Sequence, residues 1–111
     1  MSGRGQVERV RALNDALRQT FTGGKVMLSA GVAALAEDEK AIVLEKVRTF
    51  ADFNGDNDPH GEHDLAVVEH NGTQYFAKID YYNPTLEFGS EDPGDPAKTT
   101  RVMTIMRADE Y

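Results

Sequence analysis

Six acids or imidazoles crowd the stretch from Asp56 to Asp64: Asp56, Asp58, His60, Glu62, His63 and Asp64. Oxygen-rich loops hold hard cations, and Asp52, Asn54 and Asp56 have the one-three-five spacing that opens an EF-hand loop. The match then fails. Asn57 stands where the sharp turn requires glycine, and His63 stands where the bidentate glutamate belongs. His60 and His63 offer two imidazoles that zinc could use together with a carboxylate. The metalloprotease pattern, however, places its histidines four apart on a helix, and Pro59 and Gly61 exclude a helix here. Two readings remain. One is a divalent-metal or polar cluster of His60, His63, Asp64 and Asp80. The other is a loop whose Asn and Asp side chains bond backbone groups and lead into a strand.

Asp80 joins the cluster through strand register. Residues 64–70 and 73–82 alternate in polarity around Asn71-Gly72, the strongest short-range hairpin signal. A two-residue turn there sets Val68 against Tyr75, Ala66 against Ala77 and, at the far end, His63 against Asp80. A carboxylate opposite an imidazole fixes its tautomer. A hydrolase also needs a nucleophile, and Ser90, Thr99 and Thr100, the nearest hydroxyls in sequence, do not sit in a nucleophile elbow.

Two further segments carry interaction chemistry. Adjacent tyrosines on a strand point to opposite faces, so of Tyr81 and Tyr82 one is core and the other is a candidate interface anchor. The segment from Glu87 to Pro96 holds four acids (Glu87, Glu91, Asp92, Asp95) and no base. With Asp56, Asp58, Glu62 and Tyr82 these form the candidate partner-binding set.

The elements that must position these groups follow from periodicity. Residues 1–5 read as a flexible tail, and residues 6–111 as one domain. Val7, Val10, Leu13 and Leu17 make one helical stripe, closed by Phe21-Thr22-Gly23-Gly24. Lys25 to Leu28 suits a short strand, and Ser29 resembles an N-cap for a helical turn over residues 32–35. A second helix runs from Glu37 to about Asp52, with acids in its first turn and Val43, Leu44, Val47, Phe50 and Ala51 on its buried face. Residues 99–108 form a last strand of uncertain facing, because Val102, Ile105 and Met106 do not alternate. The loop between, residues 83–98, is long enough to suggest a function. The expected fold is α+β: two N-terminal helices packed on a small antiparallel sheet, built from the hairpin 64–82 and the C-terminal strand 99–108.

The chain has 111 residues, no cysteine and a net charge of −7. Disulfides and thiolate chemistry are thereby excluded. No apolar run is long enough for a membrane span, so a cytoplasmic location is expected. Residues 1–48 carry eight Lys/Arg and six Asp/Glu, whereas residues 49–111 carry four and thirteen. That −9 disfavours direct contact with nucleic-acid phosphates and favours a protein partner with a basic surface.

Leu13-Asn14-Asp15-Ala16-Leu17-Arg18, Phe21-Thr22-Gly23-Gly24, Asn57-Asp58-Pro59 with Gly61-Glu62-His63-Asp64, Lys78-Ile79-Asp80-Tyr81-Tyr82, and Asp92-Pro93 followed by Thr100-Arg101-Val102 resemble a family of small bacterial proteins. That family carries only the label of a domain of unknown function, and it occurs in proteobacterial genomes, plasmids and phages. The resemblance spans nearly the whole chain. It implies a mobile-element context and no established activity, cofactor or catalytic residue. The expected function is an acidic interaction module, an inhibitor of the anti-CRISPR or anti-restriction type that blocks a basic nucleic-acid-binding surface. The alternative is a small metal-binding or hydrolase-like protein using His60, His63, Asp64 and Asp80.

Overall fold

The computed structural model describes residues 3–111. Helix α1 (Gly3–Thr20) leads into strand β1 (Lys25–Leu28), a single helical turn α2 (Ala30–Ala33) and helix α3 (Glu37–Thr49). The hairpin β2 (Leu65–His70) and β3 (Thr73–Tyr82) follows, then β4 (Thr100–Arg107) and a closing 3-10 turn at Ala108–Glu110. The expected tail, residues 1–5, does not hold for Gly3 to Gly5, which belong to α1. Its first two residues lie outside the described residues, and the helix already begins at Gly3.

The stripe on α1 buries Val10 and Leu17 as its spacing requires. It also buries Asn14 and Arg18, which lie four residues on from Val10 and from Asn14. The helix stops where Phe21 turns to φ 58 while its N–H still bonds the Leu17 carbonyl. Ser29 caps α2 by accepting from the Val32 N–H. Helix α3 ends at Thr49, three residues before the expected Asp52, because Phe50 adopts extended geometry. Val43 and Val47 form its buried face, and Ala51 is exposed.

The hairpin has the register its turn dictates, with Val68 opposite Tyr75 and Ala66 opposite Ala77. Asn71 and Gly72 both have positive φ, 52° and 77°, as a two-residue turn of matching twist demands. The sheet is larger than expected and mixed. Its order is β1-β4-β3-β2, and β1 runs parallel to β4, from Lys25 beside Val102 to Leu28 beside Ile105. The pairing follows from the available edge: β3 occupies one side of β4, and β1 takes the other. Strand β4 hides its alternation in sequence because both faces are largely apolar. Met103 and Ile105 enter the core, while Val102 and Met106 lie on the second face.

The core lies between the helices and one sheet face. Leu17, Val32, Val43 and Val47 pack there against Ala66, Val68, Tyr75, Ala77, Ile79, Met103 and Ile105. By strand alternation, Leu65, Val67, Phe76, Lys78, Asp80, Tyr82, Val102 and Met106 occupy the opposite, open face. Tyr111 crosses part of it, edge-on to Phe76 with ring centroids 5.7 Å apart. Among the described residues no helix is long and apolar enough to cross a membrane.

Candidate functional site

Residues 52–64 and 83–98 contain most of the candidate side chains, and α1 fixes both loops. Asn14 is fully buried. Its Nδ2 donates to the Glu62 carbonyl (3.0 Å) and to the Tyr81 hydroxyl (2.8 Å), and its Oδ1 accepts from Arg101 Nε (2.9 Å). The Tyr81 hydroxyl in turn donates to Glu62 Oε1 at 2.8 Å. Arg101 is 2% exposed. Its guanidinium lies 5.3 Å from the Tyr81 ring centroid and its Nη2 donates to the Pro93 carbonyl. Burial pushes both the Tyr81 phenol up and the Arg101 guanidinium down from their ordinary values. At the start of α1, Gln6 donates to Asp92 Oδ1 (2.9 Å), which holds Asp92 below the usual carboxylate range. Arg11 Nε donates to the Gly61 carbonyl at 2.6 Å.

His63 belongs to this helical side. With φ 56 its backbone leaves the strand path, and its ring stacks on Phe53 with centroids 3.8 Å apart. Nδ1 is 2.8 Å from Asp15 Oδ1, and Nε2 is 3.6 Å from Asp58 Oδ2. Asp58 also accepts from the His63 N–H at 3.0 Å. Both ring nitrogens face carboxylates, so neither is presented to a substrate. The ring ties the loop to α1.

The expected opposition of His63 and Asp80 does not occur. Asp80 sits on the open face and accepts from Lys78 Nζ at 2.7 Å. The reason is register: pairing ends at Leu65, and the left-handed turn at His63 sends its ring to the other side of the sheet. His60 and Asp64 line a small hollow with Leu65, Lys78 and Tyr111, away from His63. Burial raises Asp64 above its ordinary value. The four members of the proposed cluster are therefore divided by the sheet, and among the described residues no three His, Asp or Glu side chains form a group able to hold a metal ion. The loop reading describes the segment better. Asn54 Oδ1 accepts from the N–H groups of Asp56 and Asn57, and Asn57 Nδ2 donates to the Asp52 carbonyl.

The partner-binding set also divides. Asp58, Glu62 and Asp92 are committed to internal bonds. Asp95 turns its own loop by accepting from the Ala97 N–H. Asp56, Glu87 and Glu91 are exposed. Tyr82 lies on the open face, in a groove of about 510 Å³ shared with Lys25, Met27, Leu86 and Val102. Asn83 builds the groove's lip by accepting from the N–H groups of Glu87 and Phe88. Leu86 is 45% exposed at φ 64, and Phe88 is 70% exposed.

Sequence reasoning missed Asn14, Arg18 and Arg101, three of the four buried polar side chains among the described residues. The signal for the first two was helical spacing, since both fall on the stripe of Val10 and Leu17. The hairpin's part of the open face, Leu65, Val67, Phe76 and Lys78, follows from its alternation, but the share of β4 does not, because Val102, Ile105 and Met106 do not alternate.

Neither curated proteins nor solved structures yielded a match to this chain. A family model described as a protein of unknown function (DUF3768) matches residues 28–110, from the end of β1 to the closing turn. That is three quarters of the chain, and it includes both loops and the open face, so the chain belongs to the DUF3768 family.

Proposed function

We propose that this chain is an acidic protein-interaction module that contacts its partner through the open sheet face around Tyr82. The observation that carries the reading is the groove on that face, lined by Met27, Tyr82, Leu86 and Val102 beside Lys25, covered by no helix of the described residues and bordered by Glu87 and Phe88. Leu86 strengthens it. A bulky residue held at positive φ costs folding energy, and such strain collects at binding sites. Contiguous exposed apolar surface with a polar rim marks protein contacts. The net charge of −7 selects a partner with a basic surface. In a mobile-element setting that partner is a nucleic-acid-handling complex, and the module acts as an inhibitor of the anti-CRISPR or anti-restriction type.

The test is plating efficiency of a phage on hosts with active restriction or CRISPR interference, with and without the expressed chain. Inhibition should raise plating severalfold, and Tyr82→Ala or Glu87→Gln with Glu91→Gln should reduce the gain. Binding of the purified chain to the host complex should weaken steeply with salt. Unchanged plating across such hosts, together with salt-insensitive or absent binding, refutes the inhibitor reading.

A further inference from the structure

On the helical side, away from the open face, a hollow of about 370 Å³ is lined by Asp15, Arg18, Gln19, Arg48, Phe53 and His63, among others. Its charge is contrary to that of the molecule. Two guanidinium groups line it with one carboxylate, Asp15, which already accepts from Arg18 Nη1 at 2.9 Å and lies 2.8 Å from His63 Nδ1, while His63 Nε2 faces Asp58 at 3.6 Å. Three separate elements deliver these groups: α1 brings the Arg18 guanidinium, α3 brings that of Arg48, and the loop brings the His63 ring. Arg48 is exposed and lies over the Phe21 ring, 5.3 Å from its centroid. Phe50 and Phe53, edge to face with centroids 4.9 Å apart, supply an aromatic wall.

A second observation concerns Arg18, one of the residues lining the hollow. Arg18 Nε is the one buried side-chain nitrogen or oxygen among the described residues without a hydrogen-bond partner. Buried polar groups are nearly always satisfied, and an orphan asks for an explanation. The Arg18 carbon between its nitrogens lies 4.9 Å from the Phe53 centroid, so the guanidinium plane is already fixed by packing. Guanidinium forks match the oxygens of phosphate. Both arginines lie in the last turns of their helices, where they also offset the negative helix ends.

We propose that this hollow binds the phosphate group of a small phosphate monoester, with Arg18 and Arg48 as the donors and the Phe50–Phe53 wall beside the rest of the ligand. The volume suits a ligand of mononucleotide size. The site is separate from the open face and stands or falls without the interaction reading.

Nitrogen-detected or amide-proton NMR of the full chain tests it, with inorganic phosphate, AMP and adenosine as probes. Phosphate and AMP should saturably shift the Arg18 Nε–H signal and the amides of Phe50 to Phe53, while adenosine should not. AMP binding more tightly than phosphate indicates a metabolite, and equal binding indicates free phosphate. Arg48→Gln, and separately Gln19→Glu at the exposed rim, should each weaken binding about tenfold or more, with amide dispersion confirming the fold. The site is refuted by any of three results: no saturable shift at millimolar phosphate or AMP; shifts spread over unrelated arginines such as Arg107; or adenosine binding as well as AMP.

Discussion

The Asn14 Nδ2 and the Tyr81 Oη lie 2.8 Å apart, and this contact joins the first helix to β3 across 67 residues of sequence. It matters because each partner is also bonded elsewhere. Asn14 holds Arg101 and the Glu62 carbonyl, and Tyr81 holds the Glu62 side chain. One buried amide thus fixes both loops against α1. Asn14→Ala would strand Arg101 Nε and the Glu62 carbonyl in an apolar setting, at a cost of about 2–4 kcal/mol. Tyr81→Phe should cost about 1–2 kcal/mol. Urea unfolding of both single variants and the double variant checks this, and the losses should not add, because the two residues share partners. Additive losses would show that the contact does not couple them.

Tyr81 gives the network a pH signature. Burial, and then its bond to Glu62, raise its phenol above the ordinary 10.0. A raised folded value means that the folded state keeps a proton the unfolded state releases. The contribution is full below pH 10.0 and is lost as pH rises through the folded value. Alkaline absorbance titration of the wild type minus Tyr81→Phe isolates this group, which should remain protonated at pH 10.0. Thermal stability should also fall less steeply with alkali in Tyr81→Phe. A phenolate midpoint at or below the ordinary value would contradict the buried bond.

How much of this was legible in sequence depends on whether a local rule governed each position. The Asn71-Gly72 turn set the hairpin register, because its backbone twist admits few alternatives. The acids at the start of α3 and the Ser29 cap were readable for the same reason. The site was less legible. Extrapolating strand register to His63 and Asp80 failed because one left-handed residue, His63 at φ 56, ends the alternation. Asp58 and Glu62 read as surface charge by composition, but Asp58 turns inward onto His63 of its own loop and Glu62 onto Tyr81 of β3. The parallel seat of β1 beside β4 is a long-range choice that no short window of sequence encodes.

Two glycines should respond differently to alanine. At Gly24 an added Cβ would lie 2.7 Å from the Arg101 carbonyl oxygen and 3.1 Å from Leu17 Cδ2. Backbone cannot step aside there, so Gly24→Ala should cost roughly 1–3 kcal/mol and loosen β1 from β4. At Gly31 the added Cβ meets the Glu110 carboxylate at 2.6 Å. That side chain can swing away, giving up its bonds from Ser29 and the Gly31 N–H. Gly31→Ala should therefore cost less, partly offset by alanine's helix propensity, while freeing the closing turn. Hydrogen exchange at residues 107–111 and denaturant midpoints would separate the two. Equal losses would contradict the geometry.

Leu86 provides the sharpest separation of binding from stability. Its φ of 64 suits glycine, and a left-handed leucine costs about 1–2 kcal/mol. Leu86→Gly relieves that strain but adds about 0.5–1 kcal/mol of chain entropy to the unfolded state. The net stability should be unchanged or slightly higher. The groove around Tyr82, Met27 and Val102 would meanwhile lose its lip. If the open face binds a protein, Leu86→Gly should weaken that contact about tenfold or more with an unshifted denaturant midpoint. Phe88→Ser, at a position 70% exposed, should behave alike, changing stability by less than about 0.5 kcal/mol. Variants that lose binding only in proportion to lost stability would make the lip structural, and full binding in both would place the contact elsewhere on the molecule.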